Sequence, residues 1–104
     1  MIENLNKTTL KENLHTIFRV FLADSSTLEL ELIEVTVLPS ARQQEQVSAI
    51  FRGPSDFLLP QAIYPMEHEK LGEFGLFLVP VGKDQKGTQY EAFFNRIGVK
   101  EEEA

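Results

Sequence analysis

Hydrophobic and polar residues alternate along most of this chain, in short runs broken by proline, glycine and polar clusters, a period that belongs to strands rather than helices. The exception is the start. Asn6 or Thr8 can cap a helix in which Leu10 and Leu14 share one face and Lys7, Lys11 and Glu12 fill the other, with a length of about two turns. Thr16 to Leu22 is then rich in β-branched and aromatic residues, and Ala23-Asp24-Ser25-Ser26 carries turn chemistry. A strand leading into a hairpin is predicted.

The run from Thr27 to Leu38 carries the most specific structural signal. Leu28, Leu30 and Leu32 alternate with Glu29 and Glu31, after which the phase changes and Ile33, Val35 and Val37 become the apolar set. A period of two cannot survive that change, because a slip of one residue sends every later side chain to the opposite face. A β-bulge or bend near Leu32 and Ile33 is predicted, of the kind that lets a strand turn a corner in small barrels and sandwiches.

Pro39 to Gln46 reads as a polar loop and Val47 to Gly53 as the third strand, stopped by Pro54. Ala62 to Glu67 is a short extended piece in which Pro65, lacking an N–H for a ladder, marks an edge or a strand end. His68 to Gly72 reads as a turn into Glu73 to Val81, a strand with Phe74, Leu76 and Leu78 on one face and Phe77, Val79 and Val81 on the other. A strand apolar on both faces lies centrally or covers an interface. Gly82 to Gly87 is expected to form a loop of about five residues into a last strand, Thr88 to Asn95. The expected fold is all-β, a small antiparallel barrel or sandwich of about six strands with a short N-terminal helix. It occupies residues 1–97 as a single domain, and 98–104 form an acidic flexible tail.

Composition narrows the class. A chain of 104 residues can bury one core and is too short for two. Cysteine is absent, which removes disulfides, thiolate zinc sites, iron–sulfur clusters and cysteine nucleophiles together. The formal charge of −6, from 16 acidic and 10 basic residues, argues against binding nucleic acid by neutralising phosphates. Removing 98–104 takes away three acids and one lysine and leaves −4, so the acidity belongs partly to the domain. The first residues lack a basic stretch followed by an apolar one, and no run is long enough to span a membrane, so a cytoplasmic protein without membrane association is expected.

The inventory for catalysis is thin: neither a phosphate-binding glycine loop nor a nucleophile elbow occurs. No catalytic residue, metal or cofactor is expected, and the protein is read as a non-enzyme. His15, beside the first strand in an apolar context, reads as a structural histidine or a helix C-terminal cation. His68, between Glu67 and Glu69, has carboxylates on both sides, yet neighbours on extended backbone point to opposite faces, which favours a turn-stabilising hydrogen bond over metal binding. Arg52 beside Gly53-Pro54, with Asp56 four residues on, can clamp an anion or pair with Asp56 or with an acid of a neighbouring strand. Asp24, Glu29, Glu31 and Glu34 form a stretch without a basic residue, an ordinary solvated strand face or a docking patch for a basic partner. Phe57, beside Leu58 and Leu59 in a proline-bounded loop, is a candidate partner anchor among eight phenylalanines.

From Phe51 onward the order of Phe51-Arg52-Gly53-Pro54, Leu59-Pro60-Gln61, Tyr64, Glu67-His68, Leu71-Gly72, Leu76 to Gly82 and Tyr90-Glu91-Ala92-Phe93-Phe94-Asn95 resembles a small bacterial domain family of unknown function. The resemblance covers about residues 5 to 96 and departs where family members read His-Pro and this chain has His68-Glu69. It implies a compact bacterial β domain with no catalytic residues to carry over. Some relatives look to be encoded near proteins similar to phage-tail collar adhesins, which implies an accessory or assembly role.

Two functions are therefore expected. The first is a non-enzymatic interaction or assembly module that binds another protein or itself through a strand edge or the loop at Phe57. The alternative is a small-ligand or glycan-binding domain in which Arg52, Asp56, Tyr64 and His68 converge on one shallow site.

Overall fold

The computed structural model describes residues 6–39 and 44–97. One helix precedes six strands: α1 Lys7–Glu12, β1 Ile17–Phe21, β2 Thr27–Pro39, β3 Gln44–Gly53, β4 Ala62–His68, β5 Gly72–Asp84 and β6 Gly87–Ile97. All ladders are antiparallel, and the order β1-β2-β3-β6-β5-β4 closes on itself as a barrel. The tail at 98–104 lies outside the described residues.

The helix starts where Asn6 caps it. The Asn6 side chain accepts the Thr9 N–H at 3.0 Å while the Thr9 hydroxyl accepts the Asn6 N–H at 3.1 Å, so two otherwise unpaired donors are satisfied reciprocally. Leu10 enters the core and Leu14 packs on its margin.

Two strands of 13 residues build the corners of the barrel. β2 pairs with β1 through residues 27–31 and with β3 through 31–39, and its register shifts between Leu32 and Glu34, at the bulge that the phase change predicts. The extra residue, Ile33, lets Leu30 and Leu32 before it and Val35 and Val37 after it all face the core side. β5 repeats the device. It pairs with β4 through 72–78 and with β6 through 79–84, shifting register between Pro80 and Gly82.

Several boundaries differ from the sequence expectation. Pro39 ends β2 and residues 44–46 already belong to β3, so the polar loop expected over 39–46 shrinks to the span around residues 40–43, which lie outside the described residues. The five-residue loop expected between the last strands is a two-residue turn, Gln85-Lys86. The cause is Asp84, whose carboxylate accepts the N–H groups of Lys86 at 2.8 Å and Gly87 at 3.0 Å and so ends the hairpin itself. Those bonds, led by the Lys86 N–H, hold the Asp84 carboxyl below its usual range. Pro65 stands in the middle of β4 rather than at its end, yet it does mark an edge: the β4–β1 ladder contains only Met66 and Glu67 on the β4 side.

The core runs through the barrel from Leu10 to Phe18, Leu30, Leu32, Phe51, Leu59, Met66, Leu78 and Tyr90, all at most 1% exposed. Phe18 meets Phe51 edge-on at 5.1 Å between ring centroids, a favoured aromatic geometry. On the outside, Ile63 and Phe77 stand opposite each other on β4 and β5 and remain largely exposed, so only one of the two apolar faces of β5 is covered.

Candidate functional site

The segment joining β3 to β4, residues 54–61, is tied to the core from beneath. Leu59 is the plug, at 1% exposure. Its N–H donates to the Tyr90 hydroxyl at 2.9 Å, and that hydroxyl donates in turn to the Phe57 carbonyl at 3.4 Å. The Tyr64 hydroxyl donates to the Pro60 carbonyl. Burial raises the Tyr64 pKa above its ordinary 10, so the phenol remains a donor at neutral pH. Pro54 and Pro60 restrict the backbone at either end.

This anchoring leaves Phe57 and Leu58 outside the core, 43% and 61% exposed. They form one wall of a groove of about 540 Å³ whose other wall is Pro80, Gly82, Lys83 and Thr88, with Ser55 and Asp56 also lining it. Val81, at the β5 bulge between Pro80 and Gly82, is half exposed. The result is a small apolar surface with one acid, Asp56, on the anchored loop and one lysine, Lys83, on β5 beside it. Such a surface offers hydrophobic contact without having to order itself first.

His68 lies elsewhere and is buried, at 4% exposure. Its Nδ1 accepts the N–H groups of Lys70 at 2.9 Å and Leu71 at 3.3 Å. Nε2 therefore carries the proton and donates to the Thr16 hydroxyl at 2.8 Å, which donates to the Asn13 carbonyl at 2.6 Å. Burial is the main cause that holds its pKa below the ordinary histidine value. These bonds are the turn-stabilising contacts that the sequence suggests for His68. Among the described residues no group of three histidines, aspartates or glutamates is placed to hold a metal.

Arg52 points outward from β3. Its guanidinium lies 3.6 Å from Asp84 of β5, reaching across β6, where the amide of Gln89, opposite Arg52, also donates to Asp84 at 2.8 Å. Arg52 lines a separate groove of about 460 Å³ with Glu29, Glu31 and Lys86. The acidic stretch that looks unrelieved in sequence thus has arginines beside it in space: Arg19 stands opposite Glu29, and Arg52 opposite Glu31. His15 is exposed, not apolar in setting, with positive φ of 69° and Nδ1 at 3.3 Å from Glu31.

Of the candidate residues, Asp56 and Phe57 come together, Tyr64 acts on the same loop from below, and Arg52 and His68 belong to other parts of the surface and core. Sequence reasoning missed Leu59 and Tyr90 as the anchors. The adjacent pair Leu58-Leu59 carries a hint, since neighbours on extended backbone face opposite ways. Nothing in sequence links Tyr90 to a loop 31 positions earlier.

Fold and loop together define a small closed β-barrel, six-stranded and antiparallel, that displays an anchored apolar loop. The chain belongs to the family described as Domain of unknown function (DUF6916), whose model matches residues 5–94. Comparison with curated proteins and with solved structures returned no match.

Proposed function

We propose that this domain is a non-enzymatic protein-interaction module that docks a protein partner on the Phe57-Leu58 loop and the groove beside it. The observation that carries this reading is the pairing of exposure with order. Apolar side chains at 43% and 61% exposure sit on a loop held by Leu59, Tyr90 and Tyr64, so their exposure is built in rather than a by-product of a slack segment. An apolar anchor from the partner fits the groove, and the single acid and lysine supply orientation. The ligand or glycan alternative required Arg52, Asp56, Tyr64 and His68 to share one site, and the first and last of these lie apart from the groove. An accessory role beside a tail-collar-like adhesin is the form of partnership that the family resemblance favours, and self-association is the competing form.

The test is co-purification from the native host with the intact chain and with a Phe57→Ser/Leu58→Ser variant, together with sedimentation of the purified chain. A specific protein retained by the parent and lost by the variant at unchanged thermal stability supports the reading. A monomer that retains no partner, or a partner held equally by both, overturns it.

A further inference from the structure

The barrel closes through its shortest ladder, Arg19↔Glu67 and Val20↔Met66, and Pro65 has no N–H with which to lengthen it. Side chains complete the join. Arg19 and Glu67 approach to 3.4 Å on the outside, about a third exposed and open to screening, while His68 bridges the inside. The imidazole packs against Phe18 of β1 at 4.4 Å between centroids, donates to Thr16 just before β1, and accepts the Lys70 and Leu71 N–H groups of the turn that leads to β5. Each ring nitrogen is committed, and Nδ1 is committed as an acceptor. A second proton on the ring can enter only there, where it would face two donors and no acceptor. Protonation and this turn geometry are mutually exclusive.

We propose that the β1–β4 seam is an acid-released latch, in which protonation of His68 frees the β4–β5 turn and parts the two strands that close the barrel. The charged surroundings do not rescue the imidazolium. Glu69 on the turn favours the proton, but Lys70 beside it and Arg19 on β1 oppose it, and burial opposes it most. Glu67 of β4 is engaged by Arg19, Glu73 of β5 lies opposite Glu67, and Glu31 of β2 is engaged by His15. The sign follows from the burial. A base whose pKa in the folded state lies below its ordinary 6.5 binds fewer protons folded than unfolded, so the latch is fully stable above that pH and weakens as the pH falls below it.

Amide hydrogen exchange on the intact chain at about pH 7.5 and about pH 5, corrected for intrinsic rates, tests the proposal. Protection at Lys70, Leu71 and the β1–β4 ladder is expected to fall by about tenfold in acid, while the β3–β6 ladder around Ala49 and Ala92 keeps its protection. In His68→Gln the acid-dependent difference is expected to vanish, and in His15→Gln to remain. Uniform loss across both ladders, no loss at the seam, or an unchanged acid response in His68→Gln overturns the latch. Should His68→Gln fail to fold, the ring-carbon titration of His68 in the parent chain decides: a folded-state pKa at or above 6.5 overturns it.

Discussion

β3 and β6 are joined along ten residue pairs, whereas β1 and β4 are joined along two. Both joints are needed to close one barrel, and they are made by different means. The β3–β6 joint is backbone work: continuous antiparallel pairing over its whole length, with Ala49 opposite Ala92, Phe51 opposite Tyr90 and Gly53 opposite Thr88 on the buried face. The β1–β4 joint is side-chain work, with Phe18, His68 and Thr16 inside and one partly solvated ion pair outside. Backbone pairing adds hydrogen bonds residue by residue and tolerates change at any one position. A joint made from three or four side chains concentrates its stability in them.

Substitutions can break or sharpen that contrast. Phe18→Ala, at a fully buried ring that touches Phe51, Phe74 and His68, is expected to cost about 3–5 kcal/mol in urea unfolding. The same experiment on Gly87→Ala attacks the other joint at its start. Gly87 has a φ of 153°, and an added Cβ would stand 2.0 Å from the Gly53 carbonyl oxygen, a backbone atom that cannot swing away. A loss above about 2 kcal/mol is expected, and a loss as small as that of an open glycine would show that β3 and the β5–β6 turn are not packed this closely.

Thr16→Val keeps shape but removes the acceptor for His68 and the donor to Asn13, for an expected loss of about 1–2 kcal/mol and weaker seam protection in exchange. Arg19→Ala is expected to cost less than about 1 kcal/mol and to erase what little salt dependence the seam shows, since both partners are partly solvated. If Arg19→Ala costs more than Thr16→Val, the seam is held by the ion pair outside and not by the side chains within. Gly82→Ala, where a new Cβ meets no atom within 4 Å, is the reference for open space and is expected to stay within about 0.5 kcal/mol of the parent.

Much of the barrel is legible along the chain. The phase change after Leu32 shows the bulge, because only an extra residue reconciles two apolar phases with one core. Of the two caps the sequence offers, Asn6 and Thr8, the structure uses Asn6, and Pro54 marks the end of β3 through its own backbone chemistry. The candidate site is legible in part. Phe57 is visible as an apolar residue in a proline-bounded loop, but its display depends on a tyrosine from β6 that no local pattern connects to it. Arg52, four residues before Asp56, invites a pairing, but the acid it meets is Asp84 of β5.

By itself, then, the sequence determined what is local: a period of two, the places where it slips or stops, a capped helix, and a residue inventory short of catalytic groups. The tertiary structure decided which apolar face of β5 is covered, which acid Arg52 meets, and that both ring nitrogens of the buried His68 are taken up by hydrogen bonds. The physical reason is distance along the chain. Periodicity and capping act within a few residues, whereas the His68–Thr16 bond joins positions 52 apart, and such a contact exists only once strands between them have set the barrel's register.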